Sequence, residues 1–380
     1  MRFAPVTLSD SEQQLRTEVR DFLAAELPSG SYRPGLGMHA VHSPEFSQRL
    51  AARGWVGMAI PPEYAGHGRS PVDRFIVVEE LLAAGAPVGA HWVADRQTAP
   101  VLMAFGTEDQ RQRFLPAIAA GNCFFSIGMS EPEAGSDLAA VRSRAHRVPG
   151  GWSVNGTKIW TSGAHVNHFF VVLCRTSASN GDRHAGLSQL IVDLSSPGIT
   201  VNPIPFLDGS HHFNEVVLEE VFVPSDMVLG ELDNGWGQVT SELSYERSGP
   251  DRFLSSWQLL ESYVAEHGDQ LETASVEAVG RLAARVWTVR QLSLSVARSL
   301  EAGMRPAVEA AMVKDLGTTL EQEVVSTLLR CVDEDPDPSS SSLFESLLAQ
   351  AVVISPSYTI QGGTTEVLRS VAAKGLRGTR

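Results

Sequence analysis

Two short segments carry most of the chemistry open to this chain. The first, Ser126-Ile-Gly-Met-Ser-Glu-Pro-Glu-Ala-Gly-Ser-Asp137, is a run of small residues rich in backbone donors. The second, Asn155-Gly-Thr-Lys-Ile-Trp-Thr-Ser162, places an indole directly before two hydroxyl side chains. Together they suit a flat ligand with apolar faces and polar edges, such as a flavin. The ring needs an apolar wall, and its edge atoms need hydrogen bonds once water is excluded. Taken singly, each has a plainer reading, as a Gly/Pro loop leaving a strand and as a core Trp. Their joint occurrence favours the ligand.

The elements that must position these segments follow from periodicity. Ser9 and Glu12 have capping-box spacing, and Leu15, Val19, Phe22 and Leu23 then fall on one helical face. Ser43-Pro44 starts a second helix carrying Phe46, Leu50 and Ala51. Pro61, Pro62, Gly66 and Gly68 make 57–70 a loop, and helical patterning resumes over 72–84. Thr107 and Gln110 open another helix, whose apolar stripe is Phe114, Leu115, Ile118 and Ala119. From about Cys123 the pattern turns strand-like, in 124–127, 152–155, 168–174, 187–192 and 216–223. Beyond Val228 it is helical again, with Trp236, Val239, Leu243 and Arg247 on one stripe and a long Ala/Leu/Val/Arg-rich stretch from Ser275 to Met304. The stretch 333–342 reads as a solvated loop. The expected class is α+β in three parts: an α-helical domain (1–122), a β-barrel or sheet domain (123–230) and a second α-helical, four-helix-bundle-like domain (231–380).

Composition narrows the function classes. The chain has 380 residues, enough for several structural units sharing a sizeable core. Its formal charge of −14 argues against nucleic acid, which needs clustered Lys and Arg, though a few local cations could still meet the phosphates of a small ligand. Three cysteines without metal-like or redox spacing point away from a disulfide scaffold and toward a reducing cytoplasm. No signal-like segment and no membrane-length apolar run is visible, so a cytoplasmic protein without membrane association is expected. His211-His212 lacks a third ligand at suitable spacing, so no metal is expected. No Gly-x-Ser-x-Gly elbow and no phosphate loop with its Lys is present.

The segment Met129–Asp137, with Trp160-Thr-Ser162 and Thr359-Ile-Gln-Gly-Gly-Thr-Thr-Glu-Val-Leu-Arg369, resembles the acyl-CoA dehydrogenase family over nearly the whole length. The resemblance implies FAD as cofactor, an acyl-CoA substrate and electron-transferring flavoprotein as acceptor. It implies that Ile127, Met129, Ser130 and Ser136 line the cofactor, with Ser130 on the pyrimidine edge and Ser136 near the CoA pyrophosphate. Trp160 would stack beside the ring, with Thr161 next to it, and Ser162 would donate to N5, where charge appears as hydride arrives. Thr364 and Glu366 would also contact the cofactor.

The family places its catalytic Glu at one of two positions. Gly362 occupies the commoner C-terminal one, whereas Glu246-Arg247 matches the alternative Leu-x-x-Glu-Arg position. The reading is therefore α,β-dehydrogenation to a trans-2-enoyl-CoA, with Glu246 removing the α-proton and flavin N5 accepting the β-hydride. Burial against substrate would raise the base's pKa. Gly362 would let a backbone N–H reach the thioester oxygen, and Arg247 would assist in substrate binding.

Two departures from the family pattern stand out. The Arg-x-x-Phe-Gly segment, which reaches a neighbouring subunit's FAD, is missing from 268–286, and a Gln-x-x-Gly-Gly segment is missing near 348–356. The adenine half of FAD must then be met differently or by another chain. The closing motifs resemble a bacterial subset, some of whose members form heteromeric assemblies on bulky sterol-derived thioesters. A homo-oligomer or a heterotetramer with a related subunit is thus expected. Two alternatives stay open: a non-catalytic partner subunit, and a flavin oxidase or monooxygenase on the same fold.

Overall fold

A computed structural model describes residues 3–37, 41–179, 181–332 and 335–377, with only the backbone for 241–246. The chain divides into two compact units, one made of 1–41, 70–88 and 244–380, the other of 42–69 and 89–243. The helices of 1–122 are thus shared between both.

The first unit is helical. Helix α1 (Asp10–Glu26) opens with a complete capping box, in which Ser9 Oγ accepts from Glu12 N and the Glu12 carboxylate accepts from Ser9 N. Its buried face is Leu15, Val19, Phe22 and Leu23, as the spacing predicts. In this unit it is followed by α3 (Pro71–Ala83), capped by Ser70. Five further helices come later: α7 (Trp257–His267), α8 (Thr273–Glu301), α9 (Ala307–Leu329), α10 (Leu343–Ile354) and α11 (Thr365–Arg377). Buried Glu79 and Glu80 on α3 receive Arg16 and Arg20 from α1, and Arg290 from α8 binds Glu79 at 2.6 Å. Apolar stripes alone let helices slide, whereas forked guanidinium–carboxylate pairs fix their register. Ser342 caps α10, closing the polar stretch expected to be a loop; of that stretch, 333–334 lie outside the described residues.

Helix α9 runs through the interior of this unit. A Cβ on Gly317 would come within 2.1 Å of the Arg252 carbonyl, so the turn Pro250–Arg252 approaches α9 as closely as backbone allows. One turn on, Glu321 is 1% exposed and accepts from Ser255 N at 2.6 Å.

The second unit is built on an eight-stranded sheet with strands β1 (Phe125–Gly128), β2 (Arg144–Val148), β3 (Gly151–Ser162), β4 (Phe169–Arg175), β5 (Leu187–Asp193), β6 (Ile199–Pro205), β7 (His211–Pro224) and β8 (Val228–Leu229). Their order is β6-β7-β3-β2-β4-β5-β8, with β1 parallel to β4 off this path. Helices α2 (Pro44–Ala52), α4 (Ala99–Phe105) and α5 (Glu108–Ala119) belong to this unit, and α6 (Gly235–Glu246) begins in it. Phe114, Leu115 and Ile118 of α5 enter one core with Phe125, Phe170 and Val172. The Gln110 amide donates to the Asp226 and Val228 carbonyls at 2.6 and 2.8 Å, anchoring α5 to the end of the sheet. Strands β2 and β6 escape the periodicity reading, because charges and prolines interrupt their alternation. So does a π-helical turn, Ala94–Thr98, that leads into α4.

Burial pushes the Glu321 carboxyl up to about 8, and the nearby Asp251 charge adds to this against the opposing Ser255 hydrogen bonds and Arg252. A folded-state pKa above the unfolded value means that the unfolded chain releases its proton first as pH rises. The stabilising contribution is therefore complete below about pH 4.5 and declines toward pH 8. Replacing Glu321 with Gln keeps an acceptor for Ser255 N and removes the titration. Thermal unfolding across pH 5 to 8 should show a flatter Tm profile for Glu321→Gln than for the parent.

Candidate functional site

The candidate residues divide between the two units. In the sheet unit, β1 ends at Gly128, and the chain crosses Met129-Ser130 into a tight turn in which Glu131 and Ala134 exchange both backbone hydrogen bonds at 3.0 Å. Pro132 and Glu133 form the exposed corner. Gly135, Ser136 and Asp137 continue on the surface, where Arg183 pairs with Asp137. The candidate Ser136 is thus exposed, whereas Ile127, Met129 and Ser130 are half-buried.

Strand β3 runs alongside this segment. Ile159 N donates to the Ser130 carbonyl at 3.0 Å, and Lys158 Nζ donates to the Met129 carbonyl at 3.1 Å. Two consecutive residues of β3 thereby hold two consecutive carbonyls of the loop. The Lys158 ammonium is fully buried and also binds Glu131 Oε1 at 2.8 Å. The same carboxylate accepts from Arg142 N at 2.6 Å and Ser143 N at 2.9 Å. Burial opposes ionisation of Glu131, yet Lys158 and these donors hold it below the ordinary carboxylate value.

Beyond Lys158 the pairing of β3 with β7 slips between Lys158 and Thr161. Trp160 lies in this irregularity with φ of 61°, in the left-handed region that bulky residues seldom adopt. The residue is 56% exposed, and its indole meets Phe213 edge-on with ring centroids 5.9 Å apart. The bulge turns a large aromatic face outward from a strand whose regular alternation would have buried it. Thr161 is buried, with a hydroxyl lacking a hydrogen-bond partner, and its carbonyl accepts from Asn214 at 2.9 Å. Ser162 is half-buried, and its carbonyl accepts from the buried Ser126 hydroxyl at 2.7 Å. Asn167 bridges the Phe125 carbonyl and Ser126 Oγ, both at 2.9 Å. The two segments singled out by composition therefore lie side by side, joined through backbone and buried polar groups.

In the helical unit, α6 ends at Glu246, whose side chain lies outside the described residues. Arg247 follows and is 9% exposed. A Cβ on Gly363 would lie 3.7 Å from Arg247 Nη2, so the guanidinium rests beside the C-terminal glycines. Gly362 and Gly363 have φ of 66° and 105°, a path that side-chain-bearing residues rarely follow. The Gly363 carbonyl accepts from Lys314 Nζ at 2.8 Å, and Lys314, on α9, is fully buried. Thr364 Oγ1 accepts from Val367 N at 3.4 Å at the start of α11, and Glu366 is exposed in that helix's first turn. Arg247, Gly362 and Thr364 thus belong to one locality, while Glu366 faces outward at its edge.

Lys158, Glu131 and Lys314 escape the sequence reading as site-forming residues. The signal was present only as a Lys two residues before the Trp and a Glu within the loop motif. Among the described residues no group of three or more His, Cys, Asp or Glu is placed to hold a metal ion. The rings of His165 and His211 lie 4.1 Å apart, and His211 Nε2 pairs with Asn214 Oδ1 at 2.8 Å. No helix among the described residues is long and apolar enough to cross a membrane.

Models of the acyl-CoA dehydrogenase N-terminal and middle domains match residues 9–122 and 126–221. The chain is 33% identical to acyl-CoA dehydrogenase FadE29 of Mycobacterium tuberculosis, with 98% of each chain covered. It is 37% identical to acyl-CoA dehydrogenase IpdE1 of the same organism, over 62% of this chain and 63% of that one. Among solved structures it is similar to the Tcur3481-Tcur3483 steroid ACAD, with a TM-score of 0.87, 29% identity and coverage of 100% of this chain and 99% of the other. It is likewise similar to the ChsE4-ChsE5 complex from Mycobacterium tuberculosis, with a TM-score of 0.82, 28% identity and coverage of 100% and 99%. The chain belongs to the acyl-CoA dehydrogenase family, enzymes that act on CH–CH bonds.

The closeness of β1 to its neighbours is testable. A Cβ on Gly128 would lie 2.1 Å from the buried Phe170 ring and 3.2 Å from Lys158 Cγ. Gly128→Ala should cost about 1–3 kcal/mol through overpacking, read from urea unfolding. A midpoint unchanged from the parent would contradict this packing.

Proposed function

We propose that the chain is an FAD-dependent acyl-CoA dehydrogenase that converts an acyl-CoA thioester to the trans-2-enoyl-CoA. The observation that carries this reading is the Trp160 bulge set against the Met129-Ser130 loop. It offers an outward aromatic face beside the half-buried hydroxyls of Ser130 and Ser162, for which no protein partner occurs among the described residues. A flat ring with polar edges fits that donor set. Ile127, Met129, Ser130, Trp160, Thr161 and Ser162 of the sheet unit would hold it, with Ser136 at the periphery, and the resemblance to the family adds Thr364 and Glu366 of the helical unit as cofactor contacts. Thr161 would act through its backbone, since its hydroxyl is buried. Bound FAD would supply a hydride acceptor at N5.

The chain's own residues do the rest. Glu246 takes the α-proton, acidified by the adjacent thioester carbonyl. A backbone N–H of the Gly362-Gly363 turn meets the carbonyl oxygen on which negative charge develops, and buried Lys314 on the Gly363 carbonyl fixes that turn. Arg247 lies beside the turn as a cationic contact for substrate. Electron-transferring flavoprotein is the proposed acceptor. Similarity to a steroid ACAD and to the ChsE4-ChsE5 complex supports a bulky, sterol-derived acyl group and assembly with a related subunit. The missing Arg-x-x-Phe-Gly segment points the same way, since a second chain would then complete the contacts to FAD.

The test is the visible spectrum of the purified chain, followed by anaerobic addition of acyl-CoA thioesters of differing bulk. Bleaching of a flavin band by one thioester class is the expected result. A flavin band that no thioester bleaches, but that oxygen rapidly restores after chemical reduction, would favour the oxidase alternative. Colourless protein that takes up FAD only with a related subunit would favour the partner-subunit alternative. Glu246→Gln should retain flavin and lose exchange of the substrate α-proton with solvent, followed by NMR in D2O. Undiminished exchange would remove Glu246 from the mechanism.

A further inference from the structure

Lys158 and Glu131 have no part in the chemistry above, yet they are buried, charged and within two residues of the proposed cofactor contacts. Lys158 is 0% exposed, and its stem passes Gly128 before its ammonium reaches the Met129 carbonyl and Glu131 Oε1. Glu131 spends its carboxylate on Lys158 and on the backbone N–H groups of Arg142 and Ser143. Such a pair is a poor source of net stability. Desolvating two ions offsets most of their attraction, and apolar residues of similar volume often serve as well. An apolar pair could not, however, hold the Met129 carbonyl.

We propose that Lys158 and Glu131 are a positioning pair, which fixes the Met129-Ser130 backbone and the Trp160 bulge as one preformed edge for the isoalloxazine ring. The inference rests on the flavin reading above. The geometry has two parts. Lys158 and Ile159 take the carbonyls of Met129 and Ser130, so the loop and the strand cannot shift independently. Trp160 follows directly, and its left-handed backbone persists only while the residues on both sides are held. Glu131 keeps the ammonium aimed and ties it to the chain at 142–143.

Two variants of the full chain separate positioning from stability. Glu131→Gln leaves Lys158 donating to the Met129 carbonyl but removes the ion pair. The double variant Lys158→Met with Glu131→Gln removes both charges, keeps an acceptor for only one of the Arg142 and Ser143 N–H groups, as the single variant does, and loses the donor to Met129. Each is stripped of flavin and titrated with FAD, and its Tm is recorded. The near-UV circular dichroism of the flavin-free form is compared with that of Trp160→Phe, which isolates the indole's contribution.

The double variant should match or exceed the stability of Glu131→Gln yet bind FAD about tenfold more weakly or worse, the scale of one lost charge-assisted hydrogen bond. Its Trp160 signal should also be lost, while Glu131→Gln, which keeps the Lys158 donor but aims it less well, should fall between the parent and the double variant in both FAD affinity and Trp160 signal. FAD affinity that simply follows Tm in both variants, or a double variant with parental affinity and Trp160 signal, would overturn the proposal. If the parent binds no FAD even together with a related subunit, the flavin reading falls, and the Trp160 signal alone then decides whether the pair positions the bulge.

Discussion

Three donors converge on the carboxylate of Glu131: the Lys158 ammonium at 2.8 Å and the backbone N–H groups of Arg142 and Ser143 at 2.6 and 2.9 Å. A carboxylate with 7% exposure needs all three, because an ion removed from water is tolerated only when its lone pairs are met. The constraint propagates in both directions. Toward β1 it places the Met129 carbonyl against Lys158 and closes the Glu131–Ala134 turn. Toward β2 it fixes where the chain enters Arg144, whose partner across the sheet is Asn155. Loop and strand thus reach the proposed ligand edge from opposite sides of a single ion pair.

The helical unit applies the same device with different parts. Lys314 is the other lysine among the largest fully buried side chains, and it too donates to a loop carbonyl beside candidate residues. There the loop is Gly362-Gly363, where backbone of φ 66° and 105° gives no side chain that could be packed to hold it. A charged donor from a rigid helix replaces that packing. Such hydrogen bonds contribute more than neutral ones, about 1.5–3 kcal/mol. That is enough to select one conformation from the several a glycine pair can reach.

Much of this was legible in the sequence for local reasons. Ser9-Glu12 and Thr107-Gln110 specify helix starts within four residues, and both form complete capping boxes. Met129–Asp137 was legible because small residues in a fixed order constrain backbone directly. The Lys158–Glu131 pair was not, since it joins positions 27 residues apart through a sheet register that no local pattern encodes. Strands β2 and β6 were hidden because pairing, more than their own alternation, keeps them extended. The allotment of α1 and α3 to the unit that holds α8 rests on Arg16, Arg20 and Arg290 meeting Glu79 and Glu80, again a long-range choice.

Trp160 shows why the long-range part matters for function. Its left-handed backbone costs about 1–3 kcal/mol, and an edge-on contact with Phe213 offsets about 0.5–1.5 of that. With 56% of the residue left in solvent, burial supplies little more. The conformation is therefore imposed from outside: by Ile159 N on the Ser130 carbonyl before it, and by the Asn214 amide on the Thr161 carbonyl after it. A residue held against its own preference, with its apolar face turned to solvent, is what a preformed wall for a flat ligand requires. Placing the wall before the ligand arrives moves the ordering cost from binding to folding.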